Sequence, residues 1–410
     1  MPTEPGAALA HLKVVDLSRI LAGPWATQTL ADLGAEVLKI EHPAGGDDTR
    51  RWGPPFLEEA DGARGDAAYF TAANRNKRSL GIDFAKPEGA ALVRALIAGA
   101  DVVVENFKVG GLAKYGLDYA SLAAAHPRLV YCSITGFGQT GPYAPRSGYD
   151  FIIQGMGGLM GITGQPDGTP GAGPVKVGVA VADLFTGMYA ATSILAALAY
   201  RDRTGRGQHI DCALLASQAA MLANQASSWL AGGVEPGRMG NDHPSISPYR
   251  VYPVRDGHVI LTCGNDGQFR RFCAAVGADG LAEDPRFGSN PARVAHRAAL
   301  DREIEAVLAG FDRDDLIARL EAATVPCGPI NGVADVFADP HLTAIGTTVP
   351  THRPDGTEIP TVAYPARLSA SPAAYRSAPP RLGADTEAVL QERLGLDVAA
   401  IARLRADGVL

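Results

Sequence analysis

The chain has 410 residues, of which 46% are hydrophobic and 20% are charged, enough for two or three globular domains with large cores. Its formal net charge of −7 argues against a nucleic-acid-binding protein, although a local group of cations could still bind an anionic cofactor. The five cysteines form no C-x-x-C pair, so we expect reduced thiols, no metal site and a cytoplasmic location. No signal peptide is predicted, because the beginning of the chain lacks a basic segment followed by an apolar run.

The chain begins with a predicted β-α-β unit. Strands are predicted at 12–17 and 34–41, and a helix that begins near Pro24 connects them. This unit predicts an α/β fold with a Rossmann-like parallel sheet. The dinucleotide fingerprint G-x-G-x-x-G is absent from the first turn, and its nearest later match fails because residue 160 is Met. We therefore expect no nicotinamide-dependent enzyme.

A cluster of cations follows at 74–83, where Asn-Arg-Asn-Lys-Arg-Ser-Leu-Gly-Ile-Asp runs into a predicted strand at 80–83. Two interpretations are open. The cluster is either a solvated, charged loop or an anion site in which Lys77 and Arg78 contact phosphates.

The next predicted elements continue the same sheet: a helix at 87–98, a strand at 100–107, a helix at 117–125 and a strand at 129–135. Asn106 and Phe107 end one of these strands, so they are expected to face the crevice in which α/β sheets bind ligands. The Gly- and Pro-rich segment 155–174 is predicted to be a loop system whose N–H groups can meet a ligand.

The segment 175–201 carries the most chemical information. Its β-branched beginning, 175–181, predicts a short buried strand, and 184–200 predicts a buried core helix, because it is short and polar for a membrane span. Asp183 stands at the turn between them. Most Asp residues at such a turn only cap the helix. The helix end also favours an ionised carboxylate, and in an apolar setting that carboxylate can attack an activated carbonyl.

The rest of the chain predicts a second domain. A connecting helix at 214–229 is followed by strands at 250–253 and 258–263 and by helices at 268–276, 293–308 and 313–323. The Pro-rich end contains one predicted helix, at 385–393, and has too few elements to fold alone. We therefore expect a large domain from 1–213 and 326–410, a linker at 214–248 and a small α+β domain at 249–325.

Eight motifs, in order along nearly the whole chain, carry a resemblance to a known family. They are Asp16-Leu-Ser-Arg-Ile-Leu-Ala-Gly-Pro, Gly34-Ala-Glu-Val-Leu-Lys-Ile-Glu, Asn76-Lys-Arg-Ser, Val104-Glu-Asn-Phe, Gly136-Phe-Gly, Asp183-Leu-Phe-Thr-Gly, Thr204-Gly-Arg-Gly-Gln and Val325-Pro-Cys-Gly-Pro-Ile. In these motifs the chain resembles the class III CoA-transferases, the family of formyl-CoA transferase, carnitine CoA-transferase and the 2-methylacyl-CoA racemases.

The resemblance implies a fold, a mechanism and a set of partners. Family members are homodimers of two interlocked rings, with a Rossmann-like large domain built from both chain ends and a smaller domain between them. Asp183 matches the family's nucleophile, which attacks an acyl-CoA to give an aspartyl anhydride and then an aspartyl-CoA thioester. CoA then leaves on an acceptor acid. The implied partners are CoA as co-substrate, an acyl-CoA, a carboxylic acid and a second copy of the chain, without nucleic acid or membrane.

By position, the family's CoA contacts correspond to Ile20, Leu21, His42, Ile82, Asp83, Asn106, Phe107, Lys114, Arg146 and Tyr149. Formyl-CoA transferase has Gln at the position of Leu21, Arg at that of His42, and a four-glycine flap where this chain has Met-Gly-Asn-Asp-His-Pro at 239–244. These differences disfavour formyl-CoA and oxalate as substrates. The 239–244 loop is more similar to that of members which use dicarboxylates such as succinate.

Two other functions remain open. The racemases of the family pair the aspartate with a histidine in Gly-His-Asp, where this chain has Gly148-Tyr149-Asp150. Tyrosine is a poor base for a thioester α-proton, because its ordinary pKa is about 10, and this favours the transferase. The remaining alternative is a non-catalytic acyl-CoA-binding protein on an inherited fold.

Overall fold

The computed structural model describes residues 6–410, which form two compact units. The larger unit comprises the chain up to Leu159 together with Lys176–Gly233 and His341–Leu410. The smaller unit comprises Met160–Val175 and Val234–Pro340. The beginning and the end of the chain therefore belong to the same unit.

The larger unit is built on a six-stranded parallel sheet. In chain order the strands are β1 (Lys13–Asp16), β2 (Glu36–Glu41), β3 (Lys77–Gly81), β4 (Val102–Glu105), β5 (Val130–Thr135) and β6 (His209–Ala213). Their spatial order, β3-β2-β1-β4-β5-β6, is that of doubly wound nucleotide-binding sheets, and it confirms the predicted parallel α/β sheet. Because the winding reverses between β1 and β4, a ligand is expected at the carboxyl ends of these two strands.

An apolar core covers each face of this sheet. On one face the helices Ala22–Asp32 and Val181–Thr204 pack on the strands. On the other face lie Pro87–Ala98, Thr386–Leu394 and Val398–Ala406, so the end of the chain completes this core. The unit also contains the helices Ala68–Thr71, Tyr119–Leu122, Asp150–Met156, Leu214–Met221 and Ala223–Leu230, the 3-10 turns Asp48–Arg51 and Ala113–Tyr115, and the hairpins Phe56–Glu58 with Arg64–Ala67 and Thr348–His352 with Glu358–Val362.

The Val181–Thr204 helix is held close to its neighbour by a glycine. A Cβ on Gly187 would lie 2.6 Å from the carbonyl oxygen of Ala22, so any side chain there would push the two helices apart. The helix is long and apolar enough to span a membrane by length and composition. One face is buried in the core, but the opposite face exposes Phe185, Met188 and Tyr189. The prediction of a core helix therefore holds for one face of the helix, while the other face is exposed and apolar.

Two predicted elements in this unit are wrong. Residues 175–181 form no strand: Val175 and Val179 are exposed, and Val177 donates its N–H to Oε1 of Gln154 instead of to a neighbouring strand. A β-branched sequence provides the propensity for a strand but not the partner strand that it needs. The single predicted helix at 214–229 is two helices, because Ala223 adopts a left-handed φ of 46°.

Two further segments contain more structure than predicted. The helices Asp150–Met156 and Leu159–Ile162 extend into the segment predicted to be a loop system. The end of the chain contains a hairpin, Thr348–His352 with Glu358–Val362, and a second helix, Val398–Ala406, in addition to the predicted one. The Pro-rich composition of this segment obscured these elements, although Ile359 of the hairpin and Ile401 of the second helix are both buried.

The smaller unit is an α+β structure. Its antiparallel sheet has the order β9-β8-β7, with β7 at Tyr249–Val254, β8 at Gly257–Thr262 and β9 at Cys327–Gly328. Phe269, Phe272 and Leu300 lie in its core. Its helices are Asp266–Ala275, Asp279–Glu283, Asn290–Ala295, Arg297–Leu308, Arg313–Ala322 and Val333–Ala338, followed by Pro340–Ala344 at its end. All five cysteines of the chain are free thiols, four of them buried.

Candidate active site

A cavity of about 470 Å³ lies at the carboxyl ends of the central strands in the larger unit. It is lined by residues that follow β1, β4 and β5 and by the first turn of the Val181–Thr204 helix. Most of the site residues named from the sequence line it, namely Ile20, Leu21, Asn106, Phe107, Lys114, Arg146, Tyr149 and Asp183. The cavity is therefore where the winding of the sheet predicts a ligand.

The other three, His42, Ile82 and Asp83, line a neighbouring cavity of about 250 Å³. The two cavities share four lining residues, Arg19, Phe84, Phe107 and Tyr115. The Phe84 ring packs edge-on against the other two rings, with centroids 5.7 Å from Phe107 and 5.5 Å from Tyr115. An elongated ligand could therefore contact residues of both cavities along this aromatic wall.

The larger cavity is strongly cationic although the chain is acidic overall. Four cations line it, Arg19, Lys108, Lys114 and Arg146, against a single carboxylate, Asp183. Arg19 forms an ion pair with Asp48, whereas within residues 6–410 the other three cations have no carboxylate partner. The guanidinium of Arg146 instead lies over the rings of Phe137 and Tyr143. Unpaired cations on a cavity wall suit a polyanionic ligand.

Asp183 is the third residue of its helix and does not cap it. The helix begins after Ala180, and Asp183 lies in its first turn, partly buried. We expected the helix end to favour the ionised carboxylate. Burial and then the negative charge of Asp150 instead raise the pKa of Asp183 from 3.8 to about 7. The expectation is wrong because the polar groups nearest to the carboxyl do not offset its desolvation.

Asp150 supplies the helix cap that we considered for Asp183. Its Oδ1 accepts the N–H of Ala182 at 2.8 Å and that of Asp183 at 3.3 Å. Its Oδ2 accepts a bond of 2.7 Å from the side chain of Gln154. The carboxylate is thus fixed from both sides, and it orients the turn that carries Asp183. The sequence offered little signal for this role, because Asp150 lies 33 residues earlier in the chain.

Three further residues near the site were not found from the sequence. Burial, followed by the charges of Asp183 and Asp150, raises the pKa of the Tyr69 hydroxyl, so this phenol remains protonated near both carboxylates. Glu105 is buried and accepts the N–H of Phe107 at 2.8 Å, and burial raises the pKa of its carboxyl to about 7. Lys108 adds a cation to the cavity wall next to Phe107.

Two glycines let the backbone cross beside the cavity. A Cβ on Gly136 would lie 2.6 Å from Cα of Gly148, and a Cβ on Gly148 would lie 2.5 Å from Cα of Gly136. Gly136 follows β5, and Gly148 precedes Tyr149 and Asp150. This contact therefore sets the position of the segment that caps the Asp183 helix.

The segment that follows β1 adopts a strained conformation on the cavity wall. Ile20 has a φ of 72°, which is costly for a β-branched residue. The Asn106 side chain makes two bonds to the preceding residue, accepting the N–H of Arg19 at 2.8 Å and donating to its carbonyl at 2.7 Å. Asn106 therefore holds the backbone of this wall as well as lining the cavity.

Lys77 fits neither interpretation of the cation cluster at 74–83. Lys77 is buried and donates to Asp16 at 3.1 Å and to the Pro24 carbonyl at 3.0 Å, so it is neither solvated nor available to a phosphate in the candidate site. Arg78 forms ion pairs with Glu392 and Glu36. Both residues border a cavity of about 590 Å³ at the amino ends of β2 and β3, away from Asp183. The cluster is polar because it ties buried parts of the chain together.

The described residues, 6–410, contain no group of three or more His, Cys, Asp or Glu side chains arranged to hold a metal ion. The wall of the candidate site carries one carboxylate, that of Asp183, and four cations.

Comparison with known proteins adds the family context. The profile of CoA-transferase family III matches residues 9–386. A succinate–glutarate CoA-transferase of Agrobacterium fabrum is 53% identical over 384 residues, which cover 94% of this chain and 95% of that protein. The human succinyl-CoA:glutarate CoA-transferase is 38% identical over 406 residues, covering 98% of this chain and 90% of that protein. The crystal structure of a CaiB/BaiF family protein from Brucella suis is 54% identical, with a TM-score of 0.84, and the match covers 95% of this chain and all of that one.

Proposed function

Because the chain belongs to CoA-transferase family III, we propose that it moves CoA between carboxylic acids through covalent intermediates on Asp183. It is a CoA-transferase by its family and by its relatives at 53% and 38% identity. The observation that carries the mechanism is the position of Asp183, whose partly buried carboxyl is the only acidic group on the wall of a cationic cavity in the described chain.

The proposed reaction uses the carboxylate twice. An oxygen of Asp183 attacks the thioester carbonyl of the donor, the C–S bond breaks, and an aspartyl anhydride and the CoA thiolate form. The thiolate attacks the aspartyl carbonyl, and the donor acid leaves. The acceptor carboxylate then attacks the aspartyl-CoA thioester, which forms a second anhydride and frees the thiolate again. Attack of the thiolate on the acceptor's acyl carbon releases the new acyl-CoA and restores Asp183.

The proposed CoA contacts follow from the charges of the wall. Lys114, Arg146 and Lys108 lack carboxylate partners among residues 6–410, so phosphates can take that place. The neighbouring cavity with His42, Ile82 and Asp83 can accept a more distant part of the same ligand, since the two cavities share Arg19 and the aromatic wall. Both anhydrides hydrolyse in water, so the mechanism requires that bound CoA exclude solvent from Asp183.

We propose a dicarboxylate pair as the substrates, with succinate and glutarate as the first choices. The similar proteins from Agrobacterium fabrum and human are named for transfer between succinyl-CoA or succinate and glutarate. The apolar side chain of Leu21 on the wall, where formyl-CoA transferase has Gln, is also in keeping with a larger acyl group than formyl.

Nothing in the site favours a racemase. The position of the racemase histidine is held by Tyr149, whose side chain is 60% exposed. A racemase needs a second base poised at the α-carbon, and an exposed phenol is not poised in this way.

We also propose a cytoplasmic homodimer. The exposed face of the Val181–Thr204 helix carries Phe185, Met188, Tyr189, Leu195 and Tyr200, at helical spacing. An apolar stripe of this length is more typical of a protein interface than of a free surface. The interlocked arrangement of the family would cover such a surface with a second copy of the chain.

A panel of substrates tests the proposed function. We expect succinyl-CoA and glutarate to give glutaryl-CoA and succinate, measured by mass spectrometry of the CoA products. Pentanoate is the matched control, because it has the chain length of glutarate without the distal carboxylate. Hydroxylamine added during turnover should convert Asp183 to a hydroxamate. Equal turnover of pentanoate would contradict the dicarboxylate proposal, and solvent deuterium at the α-carbon of a 2-methylacyl-CoA would favour the racemase instead.

The pH dependence of the rate should depend on Asp150. Since the carboxylate is the nucleophile, kcat/KM should rise with pH through about 7 and then level off. The Asp150→Asn variant keeps an oxygen for the N–H of Ala182 but loses the charge that helps to raise the pKa of Asp183. The rising limb should therefore move to lower pH. If the rising limb of kcat/KM, measured between about pH 5 and 9, is the same in both proteins, the pH profile does not report the interaction of Asp150 with Asp183.

The raised pKa of Asp183 also affects the stability of the folded chain. Because the pKa of Asp183 is higher in the folded chain than its ordinary 3.8, the folded state retains a proton that the unfolded state has lost between these values. This group therefore makes folding less favourable as pH rises from about 4 to about 7. The pH profile should accordingly be recorded only at pH values at which thermal unfolding shows that the wild-type protein and Asp150→Asn both remain folded.

A further inference from the structure

The turn after β1 is held in its strained conformation by three separate groups. Lys39 donates from Nζ to the carbonyl of Ser18 at 2.9 Å. Asn106 holds the N–H and the carbonyl of Arg19. Ile20 donates its N–H to both carboxylate oxygens of Asp47, each at 3.2 Å. Three consecutive residues are therefore fixed from three different parts of the chain.

Two of these groups form a buried ion pair. Lys39 Nζ lies 3.0 Å from Oδ2 of Asp47, and both side chains are fully buried. Asp47 also accepts the N–H of Thr49 at 3.0 Å and its hydroxyl at 2.8 Å. Although burial alone lowers the pKa of Lys39, the charges of Asp47, Asp16 and Glu41 raise it above its ordinary value. Although burial alone raises the pKa of Asp47, Lys39 lowers it overall.

A left-handed β-branched residue persists only where its surroundings impose that conformation. Glycine would adopt the same φ without cost. Yet Ile20 stands here, on the wall that Asp183 also lines, with its N–H fixed by a carboxylate that is itself held by a buried lysine. A strained residue therefore lies on the wall of the cavity, and the buried pair helps to hold it in that conformation.

We propose that Asp47, held by Lys39, is a positioning residue that keeps Ile20 and Leu21 in place as a preformed wall of the acyl-CoA cavity. Without this pair the turn relaxes, Ile20 leaves the left-handed region, and the wall no longer fits the bound thioester. The proposal rests on the proposed CoA transfer at this cavity, and it adds a remote ion pair to the groups that determine substrate affinity.

A double-mutant cycle with Ile20→Gly tests the proposal. Asp47→Asn leaves one oxygen to accept and turns an N–H group toward Lys39, so it loosens the turn. We expect about a tenfold rise in KM for the acyl-CoA, with a smaller change in kcat. In the Ile20→Gly background the same substitution should have little further effect on KM, because glycine adopts the left-handed conformation without cost and leaves no strain to relax. Additive effects on KM in the two backgrounds would overturn the proposal.

Two additions keep the test decisive. If Asp47→Asn does not fold, Asp47→Glu replaces it in the same cycle, because the longer side chain keeps the charge beside Lys39 but displaces the carboxylate from the N–H of Ile20. The matched control is Asp32→Asn, which breaks the buried Asp32–Arg75 pair away from the cavity. Asp32→Asn should lower the unfolding temperature and leave KM unchanged. If it raises KM as much as Asp47→Asn does, the effect of Asp47→Asn is only a general loss of stability.

CoA affinity, measured by calorimetry on the same proteins, distinguishes a failure of the proposed function from a failure of the positioning role of Asp47. If the wild-type protein binds CoA but transfers none, the proposed function fails. If the wild-type protein transfers CoA and Asp47→Asn leaves both KM and CoA affinity unchanged, only the positioning role fails.

Discussion

Replacement of Asp183 by Asn is expected to reduce CoA transfer by at least about 10³-fold, because the amide cannot form the anhydride or the aspartyl thioester. The substitution keeps the volume of the side chain and its place in the first turn of the helix. It does not touch Lys114, Arg146 or Lys108, the cations proposed to hold CoA. CoA should therefore still bind. The measurements are steady-state transfer from succinyl-CoA to glutarate and calorimetric titration with CoA.

Two further variants, Asp183→Ala and Asp167→Asn, serve as comparisons for Asp183→Asn. Asp183→Ala should be as inactive as Asp183→Asn, because both lack the nucleophile. Asp167→Asn removes an exposed carboxylate outside the lining of the cavity, and it should retain full activity. If Asp183→Asn retains more than about a tenth of the wild-type rate and forms no adduct with hydroxylamine, another group performs the attack and the proposed mechanism is wrong.

Replacement of Gly148 by Ala should have the second-largest effect. The new Cβ would lie 2.5 Å from Cα of Gly136, and the atoms nearest to it are all backbone atoms of Gly136, so no side-chain rotation can relieve the contact. The segment with Tyr149 and Asp150 must therefore move, and with it the cap of the Asp183 helix. We expect a loss of about 1–3 kcal/mol in the free energy of unfolding. Since a displacement of about 1 Å at a reacting group can cost 10²-fold, kcat/KM should fall by about that factor.

A glycine without close neighbours provides the control. Gly280 lies in the Asp279–Glu283 helix of the smaller unit, and a Cβ there would meet no atom within 4 Å. Gly280→Ala should leave stability and activity near the wild-type values. If Gly148→Ala behaves like Gly280→Ala in thermal unfolding and in transfer, then the crossing of the two backbones does not determine the geometry of the site.

Much of the larger unit was predictable because its strands and helices are local patterns. β5 and the Pro87–Ala98 helix occur close to where the sequence predicted them, since Pro starts the helix and buried strands have mostly apolar runs. The prediction of a strand at 175–181 was wrong for a non-local reason. Whether a β-branched segment forms a strand depends on an available sheet edge, and the sequence of the segment does not specify one.

Some residues of the candidate site could likewise be predicted from local patterns, and others could not. Asp183, Asn106 and Phe107 were found because the ends of helices and strands in a parallel sheet mark the side of the ligand. Asp150, Asp47 and Lys39 could not be found, because each acts on a residue distant in the chain through a contact that no local pattern encodes. The cation cluster at Lys77 was misread for this reason: its charge is visible in the sequence, but its burial against Asp16 is not.

The parallel α/β sheet, the family and the carboxyl group that is proposed to react could all be inferred from the amino-acid sequence, because local periodicity and the order of the motifs are properties of the sequence. The raised pKa of that carboxyl, the strain at Ile20 and the exposure of one face of the Val181–Thr204 helix became visible only in the folded chain. Each of these depends on contacts between parts of the chain that are distant in sequence, and only folding brings those parts together.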